Sequence, residues 1–230
     1  MTQAALGAVS IVIRAKNEAK WLASCLDAVS MQDYHDFEVI VVDNQSSDRT
    51  REIAEVYGCR IIDISDEDFN FSRALNMGIE AGGNPLVAMI SGHCIPADDQ
   101  WLTRLSMHFS NPSVVAVYGR QEPLADTAPV DKRDLWTTFG LDRKIQVRDY
   151  FFHNANSMIR RTAWEKTPFN ENIHGVEDQD WAKKVLGDDH RIVYEPTARV
   201  FHHHGIHQEL NEERAERVVR VIELIQKDLT

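Results

Sequence analysis

No stretch of the 230-residue chain approaches the ~18 consecutive apolar residues of a membrane-spanning helix. The opening MTQAALGAVSIVIRAKNE has no basic segment followed by a long apolar run and a cleavage site, so no signal peptide is read there. Cysteine is scarce: Cys25, Cys59 and Cys94 are odd in number, widely spaced and free of any C-x-x-C pair. That pattern predicts reduced, partly buried thiols and, with the absent leader, a cytoplasmic location. Basic residues are also in deficit, 25 Lys and Arg against 36 Asp and Glu, for a net charge of −11. Such a balance excludes a nucleic-acid groove and disfavours electrostatic docking on anionic lipid, although a few basic side chains can still serve one anionic small ligand. Peripheral membrane contact and homo-oligomerisation both stay open. Internal repeats, low-complexity tracts and an interdomain linker are missing too.

What is present is a large apolar complement, 43% of residues, enough for a substantial core. The first half alternates β-rich runs with helical patterns. VSIVIRA (Val9 to Ala15) reads as a buried strand, with Asn17 as cap of a helix through Trp21, Leu22, Cys25, Leu26 and Val29. FEVIVVD follows, ending at Asp43; the loop NQSSD supplies Ser47 or Asp48 as cap, and the next helix runs to Gly58. RIIDI, the helix SRALNMGIEAGG, the strand PLVAMI, the loop SGHCIP and the helix DDQWLTRLSMHF complete the alternation. Parallel neighbours need crossover helices, so the pattern predicts an α/β fold, a mostly parallel, Rossmann-like sheet flanked by helices in a single domain. Ligands of such sheets sit beyond the carboxyl ends of the strands, which directs attention to the loops opened by Arg14, Asp43 and Ser91. The second half is less regular: VVAVYGRQ, ANSMIRR and RIVYEPTARVF read as strands, a helix starts near Glu177, and the polar stretch from Glu122 to Asp149 is a mobile or acceptor-facing candidate. Residues 206–230 read as an amphipathic helix, with Val218, Val221, Ile222 and Ile225 on one side, packed on the domain or on a partner.

Several polar residues fall at strand ends. Asp43 could accept the imide N–H of a pyrimidine base, or could be an ordinary turn residue. Arg73 could reach a diphosphate with bidentate geometry, yet it also sits beside Asp66, Glu67 and Asp68 as a surface arginine would. His93, after Ser91 and Gly92, could ligate a metal, donate to phosphate, or serve structure alone. Glu177, Asp178 and Asp180 open a helix whose dipole favours carboxylates, and a carboxylate at this edge could act as a general base. FHHHGIHQ gathers four histidines, and strand alternation puts His202 and His204 on one face, able to share a ligand.

The ordered set SIVIRAKNE, VIVVDNQSSDRT, FSRALNMGIEAGG, SGHCIP, GVEDQDW and ARVFHHHG resembles family 2 glycosyltransferases of the GT-A fold, over roughly Ser10 to Gly205. YGRQEP, FFHNANSMIRR and PFNENIHGVEDQDWA are similar to the rhamnosyltransferase-like branch that makes surface polysaccharides. The resemblance implies a GT-A domain over 1–205, with a nucleotide half to about 120 and an acceptor half beyond it. It implies inverting transfer from a UDP- or dTDP-sugar to a hydroxyl of a saccharide or lipid-linked acceptor. By position, Ala15, Asn17 and Glu18 match the first nucleotide-binding strand and turn, Asp43 the base-reading aspartate, and Arg73 a diphosphate-side arginine. Asp178 matches the general base, Glu177 and Trp181 would hold the acceptor, and His202 or His204 would complete a metal site. The chain departs from the family's Asp-x-Asp, which holds a divalent cation; Ser91, Gly92 and His93 stand there. A Mg²⁺ site is thereby weakened, since that ion prefers oxygen donors. Imidazoles could instead hold Mn²⁺, or His93 and Arg73 could offset the diphosphate charge without a metal. Two other readings remain: a sugar nucleotidyltransferase, disfavoured because RAKNEAKW lacks a glycine-rich phosphate cradle, and a degenerate nucleotide- or glycan-binding subunit.

Overall fold

A computed structural model of the chain describes residues 7–173, 175–187 and 189–205. The predicted terminal helix over 206–230 lies outside the described residues. Four parallel strands form the first half: β1 (Val9–Ala15), β2 (Phe37–Asp43), β3 (Arg60–Asp63) and β4 (Leu86–Ser91). Their crossovers are α1 (Leu22–Ser30), α2 (Thr50–Val56) and α3 (Phe71–Ala81). After β4 come a short strand β5 (Cys94–Pro96), helix α4 (Trp101–Ser106), β6 (Val114–Pro123), α5 (Pro129–Thr138), β7 (Lys144–Gln146), β8 (Asn156–Arg160), α6 (Arg161–Lys166), α7 (Glu177–Val185) and β9 (Arg191–His202). The nine-stranded sheet runs β3-β2-β1-β4-β8-β6-β9-β5, with β7 also on β9. It is parallel through β4 and mixed beyond, because β8 enters antiparallel between β4 and β6.

Helices cover both faces, which is why the central runs of β1, β2 and β4 are apolar on both sides and not alternating. On β1, Ile11 and Ile13 pack with Leu22, Cys25 and Leu26 of α1 and with Trp101 and Leu105 of α4. Val12 points the other way, joining Val42, Val87 and Met89 beneath Leu75 and Ile79 of α3 and Trp181 and Val185 of α7. Period-two alternation thus feeds two cores from one strand.

Local structure departs from the sequence reading in three places. Asn17 does not cap α1, which begins only at Leu22; it adopts φ 56° inside the preceding loop. Neither Ser47 nor Asp48 is the N-cap of α2, although the Asp48 carboxylate accepts the Thr50 N–H at 2.9 Å. Within SGHCIP, Cys94–Pro96 is a strand, paired antiparallel with β9. Gly58 takes φ 69° just past α2, as predicted.

The β6–β9 pairing carries one large slip. Gly119 lies opposite Glu195 and Arg120 opposite Arg199, so Pro196, Thr197 and Ala198 bulge out of the ladder. Glu195, fully buried, closes the bulge by accepting from Thr197 N at 3.1 Å and Thr197 Oγ1 at 2.6 Å. A Cβ on Gly119 would stand 2.0 Å from the Ala198 carbonyl oxygen, so only glycine fits against the bulge.

Candidate active site

Register brings the first three loops together. Ala15 pairs with Asp43 across β1 and β2, and Arg14 pairs with Ser91 across β1 and β4. The loop after β1 turns on Asn17, a residue that tolerates the left-handed region, and its Oδ1 accepts Ser47 N–H at 2.8 Å and Asp48 N–H at 3.4 Å. Asp48 in turn accepts Ala19 N–H at 3.0 Å, and Thr50 Oγ1 accepts Glu18 N–H at 2.6 Å. Two loops that are remote in sequence are therefore laced into one rim. Asp43 lies buried under it; its Oδ2 accepts Ser46 N–H at 3.3 Å, while Oδ1 has no partner. A buried carboxylate oxygen without a donor is costly, so such an atom is suited to a ligand N–H.

Beside the rim, Arg14, Ala15, Lys16, Glu18, Phe69, Phe71, Ser91 and His93 line a hollow of about 120 Å³. His93 is the link to the other end of the chain. Its ring stacks on His202 at 5.0 Å between centroids and lies 4.7 Å from His204, and the ring nitrogens of all three converge within 4.8 Å. Each Nδ1 faces an oxygen: Glu18 Oε1 at 2.5 Å for His93, Gln121 Oε1 at 2.7 Å for His202, and the Gly205 carbonyl at 3.0 Å for His204. An N–H must fill each contact, so in the neutral form of such a ring Nε2 is the basic nitrogen. For His202 that atom is buried and has no partner. Burial, reinforced by neighbouring His93 and His204, also holds its pKa well below the ordinary value, so the ring is neutral at physiological pH. Three imidazoles backed by oxygen acceptors form a donor set suited to borderline first-row cations such as Zn²⁺ or Fe²⁺, able to hold the harder Mn²⁺ more weakly, and poorly suited to Mg²⁺. Where the resemblance implied carboxylates, the chain thus has the imidazole of His93, gathered with His202 and His204.

A second hollow, of about 60 Å³, adjoins the first and shares Arg14 and Phe71 with it. His153, Asn154, Ala155, Gly175, Glu177 and Asp178 complete its lining. Arg14 stacks its guanidinium 4.9 Å from the Phe71 ring centre and bonds Glu177 at 3.2 Å. The buried Asp178 carboxylate accepts Asn154 N–H at 3.3 Å and Gln179 N–H at 2.9 Å. Burial pushes its pKa up to about 6, against the pull of those two N–H groups and of Arg14. Glu177 is raised as well, by burial and by Asp178, with Arg14 opposing. A carboxylate poised near neutrality beside a hollow is a competent proton acceptor. Asp180 is set apart by its ion pair with Lys184 at 2.6 Å.

The structure gathers Ala15, Asn17, Glu18, Asp43, Ser91, His93, Glu177, Asp178, His202 and His204 at one sheet edge. Two predicted residues stand elsewhere. Trp181 is a correction: it is fully buried between Phe152 and Phe169, with Nε1 donating to the Thr167 carbonyl at 2.7 Å, and touches neither hollow. It lies one turn beyond Asp178 on α7, so it faces the core that supports the carboxylate. Arg73 is half-exposed, paired with Asp68 at 3.3 Å, and lines neither hollow. Arg14, Phe71, His153, Asn154 and Gln121 were not singled out as site residues from the sequence. Only Arg14 left a signal, being the one charge inside an otherwise apolar strand.

Residues 10–167 match the family model described as Glycosyl transferase family 2. Glycosyltransferase AglE of Haloferax volcanii is 31% identical over 196 residues, covering 81% of this chain and 64% of the relative. O-antigen chain rhamnosyltransferase RfbN of Salmonella typhimurium is 24% identical over 209 residues, 86% of this chain and 67% of its own length. Among solved structures, the mannosyltransferase PcManGT of Pyrobaculum calidifontis, in complex with GDP-Man and Mn²⁺, superposes with a TM-score of 0.66 at 19% identity, covering 86% of this chain and 57% of that one. Residues 1–349 of TarS from S. aureus, in complex with UDP-GlcNAc, give 0.67 at 17% identity, covering 84% and 58%. The chain therefore spans less than two thirds of AglE and of these solved neighbours, and their likeness establishes the shared fold.

Proposed function

The chain belongs to glycosyl transferase family 2, and from that premise we propose that it transfers a sugar from a nucleoside-diphosphate donor to a saccharide or lipid-linked hydroxyl, with inversion. The observation that carries this reading is the pair of hollows meeting at Arg14 and Phe71, one bordered by His93 of the imidazole cluster and the other by the buried Glu177 and Asp178. The donor would lie along the first hollow. Asp43 Oδ1 would accept the imide N–H of a uracil or thymine base, and the rim of Asn17 and Glu18 would frame the ribose. His93, His202 and His204 would hold a divalent cation, which when bound offsets the charge of the leaving diphosphate. Mn²⁺ is the first cation to test, because a neighbour of the same fold was solved with it, and Zn²⁺ or Fe²⁺ the next, because imidazoles favour them.

The acceptor hydroxyl would enter the second hollow. Asp178 takes its proton as the oxygen attacks the anomeric carbon; the new glycosidic bond forms as the bond to the diphosphate oxygen breaks. Attack from the face opposite the leaving group inverts that carbon. Glu177, its carboxyl pushed upward by burial and by Asp178, is held beside it by Arg14. The proposal places the acceptor among saccharides or lipid-linked saccharides of surface glycan synthesis, as the similarity to RfbN suggests.

The test is a thermal-shift panel of UDP, dTDP and GDP and their sugars, with and without Mn²⁺. A ligand at about 100 times its Kd adds about 2.7 kcal/mol of stability, an easily read shift. Preferential stabilisation by uracil or thymine nucleotides supports the Asp43 assignment, while preference for GDP removes it. No response to any nucleotide refutes the donor site.

A further inference from the structure

Between the two hollows lies Gln121, a β6 residue only 1% exposed and paired in register with Val200. Its amide touches two imidazoles. Oε1 is 2.7 Å from His202 Nδ1, and Nε2 is 3.0 Å from His153 Nδ1. Amide and imidazole orientations are usually a matter of assignment, but here one fixed donor decides them. The backbone N–H of Ala155 points at His153 Nδ1 at 3.3 Å. A backbone N–H can only donate, so His153 Nδ1 carries a lone pair and its proton sits on Nε2. The Gln121 atom facing that lone pair must then be the NH₂ group. Its carbonyl is left for His202, whose Nδ1 must carry the proton and whose Nε2 must carry the lone pair.

We infer that Gln121 is a positioning residue that passes to His202 the tautomer choice fixed in His153 by the Ala155 N–H, leaving opposite tautomers, Nδ1–H in His202 and Nε2–H in His153. The first turns a basic nitrogen toward His93 and His204; the second puts an N–H donor on a ring that lines the hollow of Asp178. One side-chain amide thereby matches a lone pair on the donor side to a proton on the acceptor side. This deepens the proposed function and rests on it for its meaning, while the tautomers themselves are properties of the free chain.

The test uses the whole chain, metal-free and ¹⁵N-labelled at histidine, with two-bond ¹H–¹⁵N spectra reading each ring's tautomer. His202→Gln and His153→Gln assign the signals. The expected spectrum has His202 as Nδ1–H and His153 as Nε2–H. Gln121→Leu should release His202 from this pattern, while the Ala155 N–H keeps His153 as Nε2–H. Gln121→Glu keeps an acceptor for His202 Nδ1 and should hold His202 in place. His202 found as Nε2–H in the parent, or His202 unchanged in Gln121→Leu, overturns the inference. Mn²⁺ titration by calorimetry adds a second readout: loss of an outer hydrogen bond to a ligating ring should weaken binding about 10- to 100-fold in Gln121→Leu, and equal affinity counts against the role. If the parent itself binds no Mn²⁺, the cation leaves the proposed function and the tautomer spectra alone decide for or against Gln121.

Discussion

Asp178→Asn separates chemistry from stability, and the structure predicts opposite signs for the two. The substitution removes the only strong base among the atoms of the carboxylate, so turnover should fall by about 10² to 10⁴, the usual worth of general-base assistance. Nucleotide affinity should hardly change, since Asp178 lines the other hollow. Stability should move the other way at high pH. Burial raises the carboxyl from its ordinary 3.8 to about 6. A raised carboxyl pKa means the folded chain holds the proton more tightly than the unfolded one, so stability is greatest at low pH and is lost as pH rises between the two values. The full loss is about 3 kcal/mol, of which about 2 kcal/mol falls between about pH 4.5 and about pH 8. Asparagine does not ionise and escapes that loss. Against this, its amide can accept from only one side, so one of the Asn154 and Gln179 N–H groups meets NH₂ instead of oxygen, at about 1–3 kcal/mol. The net at high pH is near zero or slightly stabilising, but the pH dependence survives the subtraction. Urea unfolding of parent and variant across that range should show the variant gaining about 2 kcal/mol relative to the parent as pH rises. A parallel assay of transfer should show the parent's activity falling as pH drops through about 6, where Asp178 takes up its proton. Undiminished transfer by the variant refutes the base assignment; a stability difference independent of pH refutes the desolvated carboxylate.

Asp43→Ala should weaken nucleotide binding about tenfold or more, the value of one hydrogen bond to a charged group, and unchanged affinity by calorimetry removes Asp43 from the pocket. Excess EDTA should suppress transfer if the three imidazoles hold a required cation; full activity in the chelator shifts charge neutralisation to protein side chains. Gly119→Ala should destabilise the chain by more than about 3 kcal/mol, because its Cβ would stand 2.0 Å from a backbone oxygen that cannot move without opening the bulge. A variant with the parent's melting temperature would show that β6 and β9 part easily at this point.

Strands β1, β2 and β4 were readable because each holds a short apolar run that stops at a polar residue, Arg14, Asp43 or Ser91, a pattern that suits a strand buried on both faces. The pairing of Asp43, Ser91 and Arg14 at one edge followed from that alone. Alternation along FHHH correctly grouped His202 with His204, and His203 indeed turns away to Trp21. What eluded the sequence depends on distant partners. The strand Cys94–Pro96 has three residues and no pattern of its own; it exists because β9 returns to pair with it. Arg14 and Glu177 are 163 positions apart, and nothing local to either announces the other. Trp181 was misjudged because a tryptophan three residues after a carboxylate can flank a sugar or fill a core, and only the positions of Phe152 and Phe169 decide. The stretch from Glu122 to Asp149, expected to be mobile or acceptor-facing, holds α5 and β7, whose sparse apolar residues gave little periodicity to read.

The bulge at Pro196–Ala198 makes β9 indifferent to length in one place and sensitive to it in the next. Three residues are taken up between Glu195 and Arg199, and pairing then resumes opposite Arg120, which brings His202 opposite Pro123. A residue lost or gained inside the bulge leaves that register intact as long as Arg199 still meets Arg120. One lost or gained between Arg199 and His202 slips the ladder by a step, and a one-residue slip turns the side chains beyond it to the other face. His202 would then leave His93 with every histidine still present. In this fold the spacing from Arg199 to His202 matters more than the number of histidines after it.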